Sequence, residues 1–378
     1  MVQFFGRPGL NDVVRGTDRL LNDVFGDDYY YFDFGDNIAG NDVLYGRNRA
    51  ENNLHGDAYY LEVPGGNDVL YGSNRSLNRL YGDAYEMVDT QGGNDILIGG
   101  NWSTNWLHGD AGRMFGHYGG DDHLIGGNNS LNYMFGDTGG MGYGDGGDDY
   151  LRGGNRSTNI MYGDAPSLGI NDGSGSGGND TVVGGNRSEN IIYGDADDLW
   201  SGHGGDDLLI GGTNGTNWLY GDAKYMSRYA SAGDDVIIAG NKSVNYMFGD
   251  TEYVSDDSQV GNDRLVSGTG TDHMWGDSRN RSVDKHEQEI GADTFVFKKN
   301  SGNDFIYDFD LGVDTIEVDL PRVPRETRGK EDYAFKHLGI TEFEDDTYGM
   351  SSLVAFDSRN SVTVYGVTGL SESDFIFV

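Results

Sequence analysis

The chain has 378 residues, 63 of them Gly and only 5 Pro, and its 62 acidic against 26 basic side chains give a formal net charge of -36. A compact body with that charge calls for bound cations, and with no clustered Lys/Arg stripe in the sequence it is a poor partner for nucleic acid or anionic membranes. There is no cysteine, so disulfides and thiolate metal sites are excluded and any staple must use oxygen ligands.

Met1 to Leu10 lacks the basic region and long apolar core of a Sec signal, and no stretch is long enough to span a bilayer. From residue 11 a repeat sets in. Asn-Asp or Asp-Asp before a short apolar run recurs with its second acid at Asp12, Asp42, Asp68, Asp95, Asp122, Asp149, Asp180, Asp207, Asp235 and Asp263, in steps of 26 to 31 residues and mostly 27 or 28. A Gly-Asp pair keeps the same beat, with acids at Asp27, Asp57, Asp83, Asp110, Asp137, Asp164, Asp195, Asp222, Asp250 and Asp277.

The coil from Gly65 divides into GGNDVLYGS, NRSLNRLYG and DAYEMVDTQ, three nine-residue units, each with a turn and room for a short strand; the third either makes a third side of the coil or projects as a loop, and its recurring Leu or Met favours a side. Each unit carries one apolar residue at a fixed place, as in Leu70, Leu80 and Met87. Stacked coil on coil at about 4.8 Å, these inward residues make a continuous thin core that no single coil could bury alone. Frequent Gly disfavours helices. The expected fold is therefore all-β, a parallel β-roll or β-helix solenoid of about ten 27-residue coils with a C-terminal β cap.

The second turn reads N-x-S-x-N, as in Asn74 to Asn78, and neutral amides stacked in register predict a hydrogen-bonded ladder rather than a cation string. The N-x-S sequons there, at Asn74 and Asn128 for example, read as turn chemistry. Apolar neighbours flank the inward residue of the second unit, such as Trp106, Tyr133, Trp218 and Tyr246 before it and Tyr81, Phe135, Tyr193 and Phe248 after it. Strand alternation turns both away from the core, where they could bind glycan, form a dimer contact or be covered by the third unit, and burial is the simplest of the three.

The coils differ most in the third unit, and variable segments on a rigid scaffold are where function concentrates. Candidate catalytic groups there are Arg113, His117, Tyr118, Asp198 and His203, with Tyr143, Trp200, Tyr225, Arg228 and Tyr229 as candidate substrate contacts. Aromatics beside acids, His and Arg suit a polysaccharide groove, with apolar faces for sugar rings and charged groups for uronates or proton transfer. The period breaks near Gly291, which divides the chain into a repeat domain, 1–284, and a C-terminal cap, 285–378. A repeat stack needs such a cap with a polar outer face.

GGNDVLYG from Gly65, GGNDILIGG from Gly92 and GGNDTVVGG from Gly177 resemble the RTX calcium-binding repeat, G-G-x-G-x-D-x-U-x with U apolar. The resemblance spans about residues 9 to 280 and implies Ca2+ between adjacent turns, held by backbone carbonyls and by Asp42, Asp68, Asp95, Asp122, Asp149, Asp180, Asp207, Asp235 and Asp263. The segment from Gly291 resembles the cap of serralysin-type proteins, and Asp374 to Val378, an acid followed by apolar residues, resembles that family's uncleaved signal for the type I secretion apparatus. Secretion to the extracellular space is what this implies.

The serralysin zinc motif H-E-x-x-H is missing, as are G-x-S-x-G and a P-loop, so any activity must be built on the stack itself. The chain is similar to secreted RTX glycan-cleaving proteins of rhizobia, which implies an enzyme acting on an acidic polysaccharide, a lyase or a glycoside hydrolase. In the eliminative case, calcium would neutralise the uronate carboxylate while a His, Tyr or Arg removes the C5 proton. The alternative is a non-catalytic matrix or surface protein that binds exopolysaccharide through repeated contacts.

Overall fold

The computed structural model describes residues 2–17, 21–31, 39–116, 118–140, 144–169, 175–227, 229–255, 257–280, 290–319 and 335–378. It is a parallel β-solenoid, and the ten acids from Asp12 to Asp263 mark nine full laps of it. First units such as Val69–Tyr71 pair lap to lap into a 13-stranded sheet, and second units such as Leu77–Tyr81 into a 15-stranded one. Register is strict, with Leu70 opposite Leu97 and Leu80 opposite Leu107. A one-residue slip would turn every apolar residue outward, so the inward column fixes the winding.

The third unit is a true side of the coil. Its strands form a four-stranded sheet from Tyr30–Tyr31 to Ala111–Phe115 and a five-stranded one from Ser167–Leu168 to Ser278–Asn280. In the lap between the two sheets, the described residues carry the third-unit pairing on from the first sheet by one bridge, Ala111 to Thr138. The expected single core is in fact two columns. One, lined by Leu70, Leu80, Leu97 and Leu107, lies between first and second units; the other, with Ala84, Met87, Ala111 and Met114, fills the third unit. The neck explains the division: Asp83, where the third unit leaves, accepts a hydrogen bond from the Gly93 amide, where it returns.

At the second corner the expected amide ladder is present. Asn132 donates to Asn159 Oδ1 (2.8 Å) and to the Gly127 carbonyl (2.9 Å), and accepts from the Gly127 amide (3.0 Å) and Asn105 (2.8 Å). All four of its hydrogen-bonding sites are thus satisfied in a fully buried side chain.

The cap prolongs the same two large sheets. Thr294–Phe297, Thr315–Val318 and Phe375–Phe377 continue the first, while Asn303–Ile306 and Ser361–Val364 continue the second, which ends in the antiparallel strands Gly339–Asp345 and Gly349–Ala355. The tail is a ladder strand, with Phe375 buried and paired to Ile316. No described helix is long and apolar enough to cross a membrane.

Candidate functional site

The first corner is lined by two facing rows of acids. In the first-unit row each carboxylate is tied to the neighbouring lap: Asp68 Oδ1 accepts from the Asp42 amide (2.5 Å), and Asp95 Oδ1 from the Asp68 amide (2.6 Å). In the Gly-Asp row each carboxylate closes its own neck, as Asp57 Oδ2 does with the Gly66 amide and Asp83 Oδ2 with the Gly93 amide, both at 3.0 Å. At the first lap Asp27 uses both oxygens, accepting from the Gly9 and Gly40 amides; beyond it one oxygen is used in this way while the other is buried with no hydrogen-bond partner, as at Asp42 Oδ2, Asp57 Oδ1, Asp68 Oδ2 and Asp83 Oδ1.

Oxygens from the two rows converge. Asp27, Asp42 and Asp57 form one group, and Asp57, Asp68 and Asp83, Asp83, Asp95 and Asp110, and Asp110, Asp122 and Asp137 form three more, each with ligand atoms within 4.8 Å of one another. Glycine keeps the space open: a Cβ on Gly56 would stand 1.9 Å from Asp68 Oδ2 and 1.5 Å from the Gly82 carbonyl. Burial, with the neighbouring carboxylates, pushes Asp57, Asp68, Asp95, Asp110 and Asp122 well above the usual carboxylate range, and burial lifts Asp83 and Asp42 to about 7. Orphaned, converging carboxylate oxygens in a sealed space fit metal ions and nothing apolar.

The nine metal ligands expected from the sequence all lie in the first-unit row, and Asp149, Asp180, Asp207, Asp235 and Asp263 likewise keep a buried, unpartnered oxygen. The facing row was read only as a period marker. Its signal was available, since the Gly-Asp acids keep the same beat, but that they face the other row depends on how the third unit closes.

The third-unit candidates do not gather into one site. Arg113 is exposed, with its guanidinium over Tyr85 at 5.8 Å, and Tyr118 is exposed on the turn that follows. Both belong with the four-stranded sheet. Asp198 lies in the five-stranded sheet, opposite Tyr225, which stacks on Tyr253 at 5.1 Å. Trp200 and Tyr229 are exposed nearby, and His203 bridges Ser176 and Ser231 on the return to the first unit. His117, Tyr143 and Arg228 lie outside the described residues.

The flanking aromatics separate into two rows. The row after the inward residue is one stack, from Phe5 through Phe25, His55, Tyr81, His108, Phe135, Tyr162, Tyr193, Tyr220, Phe248 and Trp275 to Tyr307, with centroids 4.3 to 5.3 Å apart. From Phe25 to Trp275 it is buried apart from half-buried Tyr162. Burial pushes His55 and His108 down to about 3, so both are neutral rings in the stack. The row before the inward residue, Trp106, Tyr133, Ile160, Ile191, Trp218, Tyr246, His273 and Phe305 in register, stays half-buried. Its rings also stack lap on lap, Trp106 on Tyr133 at 4.2 Å and Trp218 on Tyr246 at 4.0 Å, so they turn edges rather than flat faces outward.

This second row leads into a groove of about 470 Å³ at the cap, lined by Trp218, Tyr246, His273, Trp275, Arg279, Tyr307, Asp308 and Tyr348 among others. His273 Nδ1 and Tyr307 Oη share a hydrogen bond of 2.6 Å. Burial holds the imidazole below its usual value and raises the Tyr307 phenol. Arg279 at the rim pairs with Glu252 at 3.1 Å. The groove went unnoticed in the sequence because Tyr307 and Tyr348 belong to the cap, outside the repeat. No protein-family model matches the chain, and no curated protein matches it.

Proposed function

We propose that the protein is a secreted RTX-type solenoid that takes up Ca2+ along its first corner and acts on an extracellular acidic polysaccharide at the groove beside the cap. The reading rests on one observation: a hydrogen-bonded pair, His273 and Tyr307 at 2.6 Å, in a concave site with Arg279 at its rim.

Ca2+ is the preferred ion because the available ligands are all oxygens, from carboxylates and from flexible Gly-rich backbone, which suits a large hard cation of high coordination number. The two acid rows would hold it, supplying charge that offsets the buried carboxylates. In the groove, Arg279 orients a uronate carboxylate and His273, neutral near pH 7, takes the C5 proton. The electron pair released forms the C4–C5 double bond as the C4–O bond breaks, and Tyr307 returns a proton to the leaving oxygen.

The test is to incubate the calcium-loaded protein with polygalacturonate and alginate and follow the absorbance of unsaturated ends. Product from the wild type, with a loss of at least about a hundredfold in His273→Ala, supports the reading. No unsaturated product and no new reducing ends would remove the enzymatic part. The evenly repeated outer row favours a second reading, a matrix protein that holds the same polymer without cutting it, and retained binding without product would select it.

A further inference from the structure

At the second corner, eight successive laps from Arg49 to Lys242 place one residue in the left-handed region, at φ 52 to 60°. Gly or Asn adopts this conformation with least strain, and Asn does occupy it at Asn129 and Asn214. Yet five of the eight are cations: Arg49, Arg75, Arg156, Arg187 and Lys242. All five are exposed, in a chain with only 26 Lys and Arg against 62 acids.

Among the described residues none of the five pairs with a carboxylate: Glu51 is taken by Arg79 at 2.5 Å, and the other pairs lie elsewhere. Arg75 lies over the Trp102 ring at 5.9 Å, but a position that favours Asn is filled repeatedly by cations that no described carboxylate pairs with, and such breaks of a local rule mark function. The primary sequence hides the row because its members stand 26 to 31 residues or more apart and become neighbours only through the winding.

The row borders a trough. Arg49, Arg75 and Trp102 line a shallow concavity of about 700 Å³ whose floor includes Leu77, Thr104 and Leu131, the outward residues that begin the second-unit strands. Two residues further along each strand lies the half-buried row that runs on to His273.

The geometry points to this corner as the binding track for a polyuronate chain lying along the solenoid axis, its carboxylates read by the cation row and its reducing or non-reducing end directed towards the groove. The inference rests on the acidic-polysaccharide reading above and adds to it the surface and the means of recognition. Adjacent laps step by about 4.8 Å, close to the length of one ring in an extended glycan, so cations on neighbouring laps, such as Arg156 and Arg187, match successive uronates. Guanidinium groups take carboxylates in bidentate pairs. Trp102 adds an exposed ring to the trough, a flat apolar face on which a sugar ring can lie.

The double variant Arg156→Asn/Arg187→Asn removes two charges at positions where Asn is unstrained, so it should melt at or above the wild-type temperature. Titrating calcium-loaded wild type and variant with polygalacturonate, dextran and duplex DNA by calorimetry should show wild-type binding to polygalacturonate alone, weakened at least about tenfold in the variant, with a shallower salt dependence. Equal binding by the two proteins would overturn the track and leave the groove reading intact. Wild-type binding to DNA as tight as to polygalacturonate would overturn the choice of ligand, and no wild-type binding to polygalacturonate would overturn both this inference and the reading it rests on.

Discussion

Single positions in this protein are set by what repeats above and below them. Asn132 is the clearest case: it is fully buried, makes four hydrogen bonds, and shares two of them with the same residue one lap away. Asn132→Ala leaves the Gly127 amide and carbonyl, Asn105 Nδ2 and Asn159 Oδ1 each short of a buried partner, at roughly 1 kcal/mol apiece, so a loss of about 4 kcal/mol is expected in urea unfolding of the calcium-loaded protein. A cost below about 1 kcal/mol would show that water replaces the amide. The acids obey the opposite rule. Their orphaned oxygens are unsatisfied by the chain itself and could hold a cation.

At the scale of elements, the third unit decides which aromatic residues are structural. It covers the row from Phe25 to Trp275 and leaves the parallel row from Trp106 to Phe305 half open. Phe248 sits in the covered row with no exposed surface, stacked on Tyr220 at 4.9 Å and Trp275 at 4.6 Å. Phe248→Ala should therefore destabilise by about 3 to 5 kcal/mol, whereas Trp106→Ala in the open row should cost clearly less. Equal costs, measured as shifts in denaturation midpoint, would mean that the third unit does not shield its row. The sequence placed both rows on the outward face, because strand alternation is local. Which row is shielded follows from how the third unit packs back, and no periodicity encodes that.

For the whole molecule the balance is electrostatic. Two acids per lap, buried and facing each other, cannot all ionise near neutral pH without a counter-charge, since burial and mutual repulsion both raise them. Ion binding to the folded state then stabilises it by mass action. Chelation at pH 7 should accordingly abolish the β-sheet circular dichroism signal and restore protease sensitivity, with calcium returning both. A chelated protein that keeps its spectrum and its resistance would show that the acid rows stay protonated and need no ion. Each lap contacts only its neighbours, so loss of ions should spread along the stack instead of staying at one coil.

The sequence by itself determined the winding, because a 27-residue beat kept by two acids and three apolar positions has few solutions other than stacked parallel coils. It also determined the amide ladder and half of the acid-lined corner, since both are written as one residue per lap. Tertiary structure decided the rest: two cores in place of one, the Gly-Asp acids turned to face the first row, the cap closing a groove over His273 and Tyr307, and five cations scattered over some two hundred residues drawn into one edge. The physical reason is common to all four. Periodicity records what each lap shares with the next, while these features depend on how different units of a lap, or the cap, meet across space.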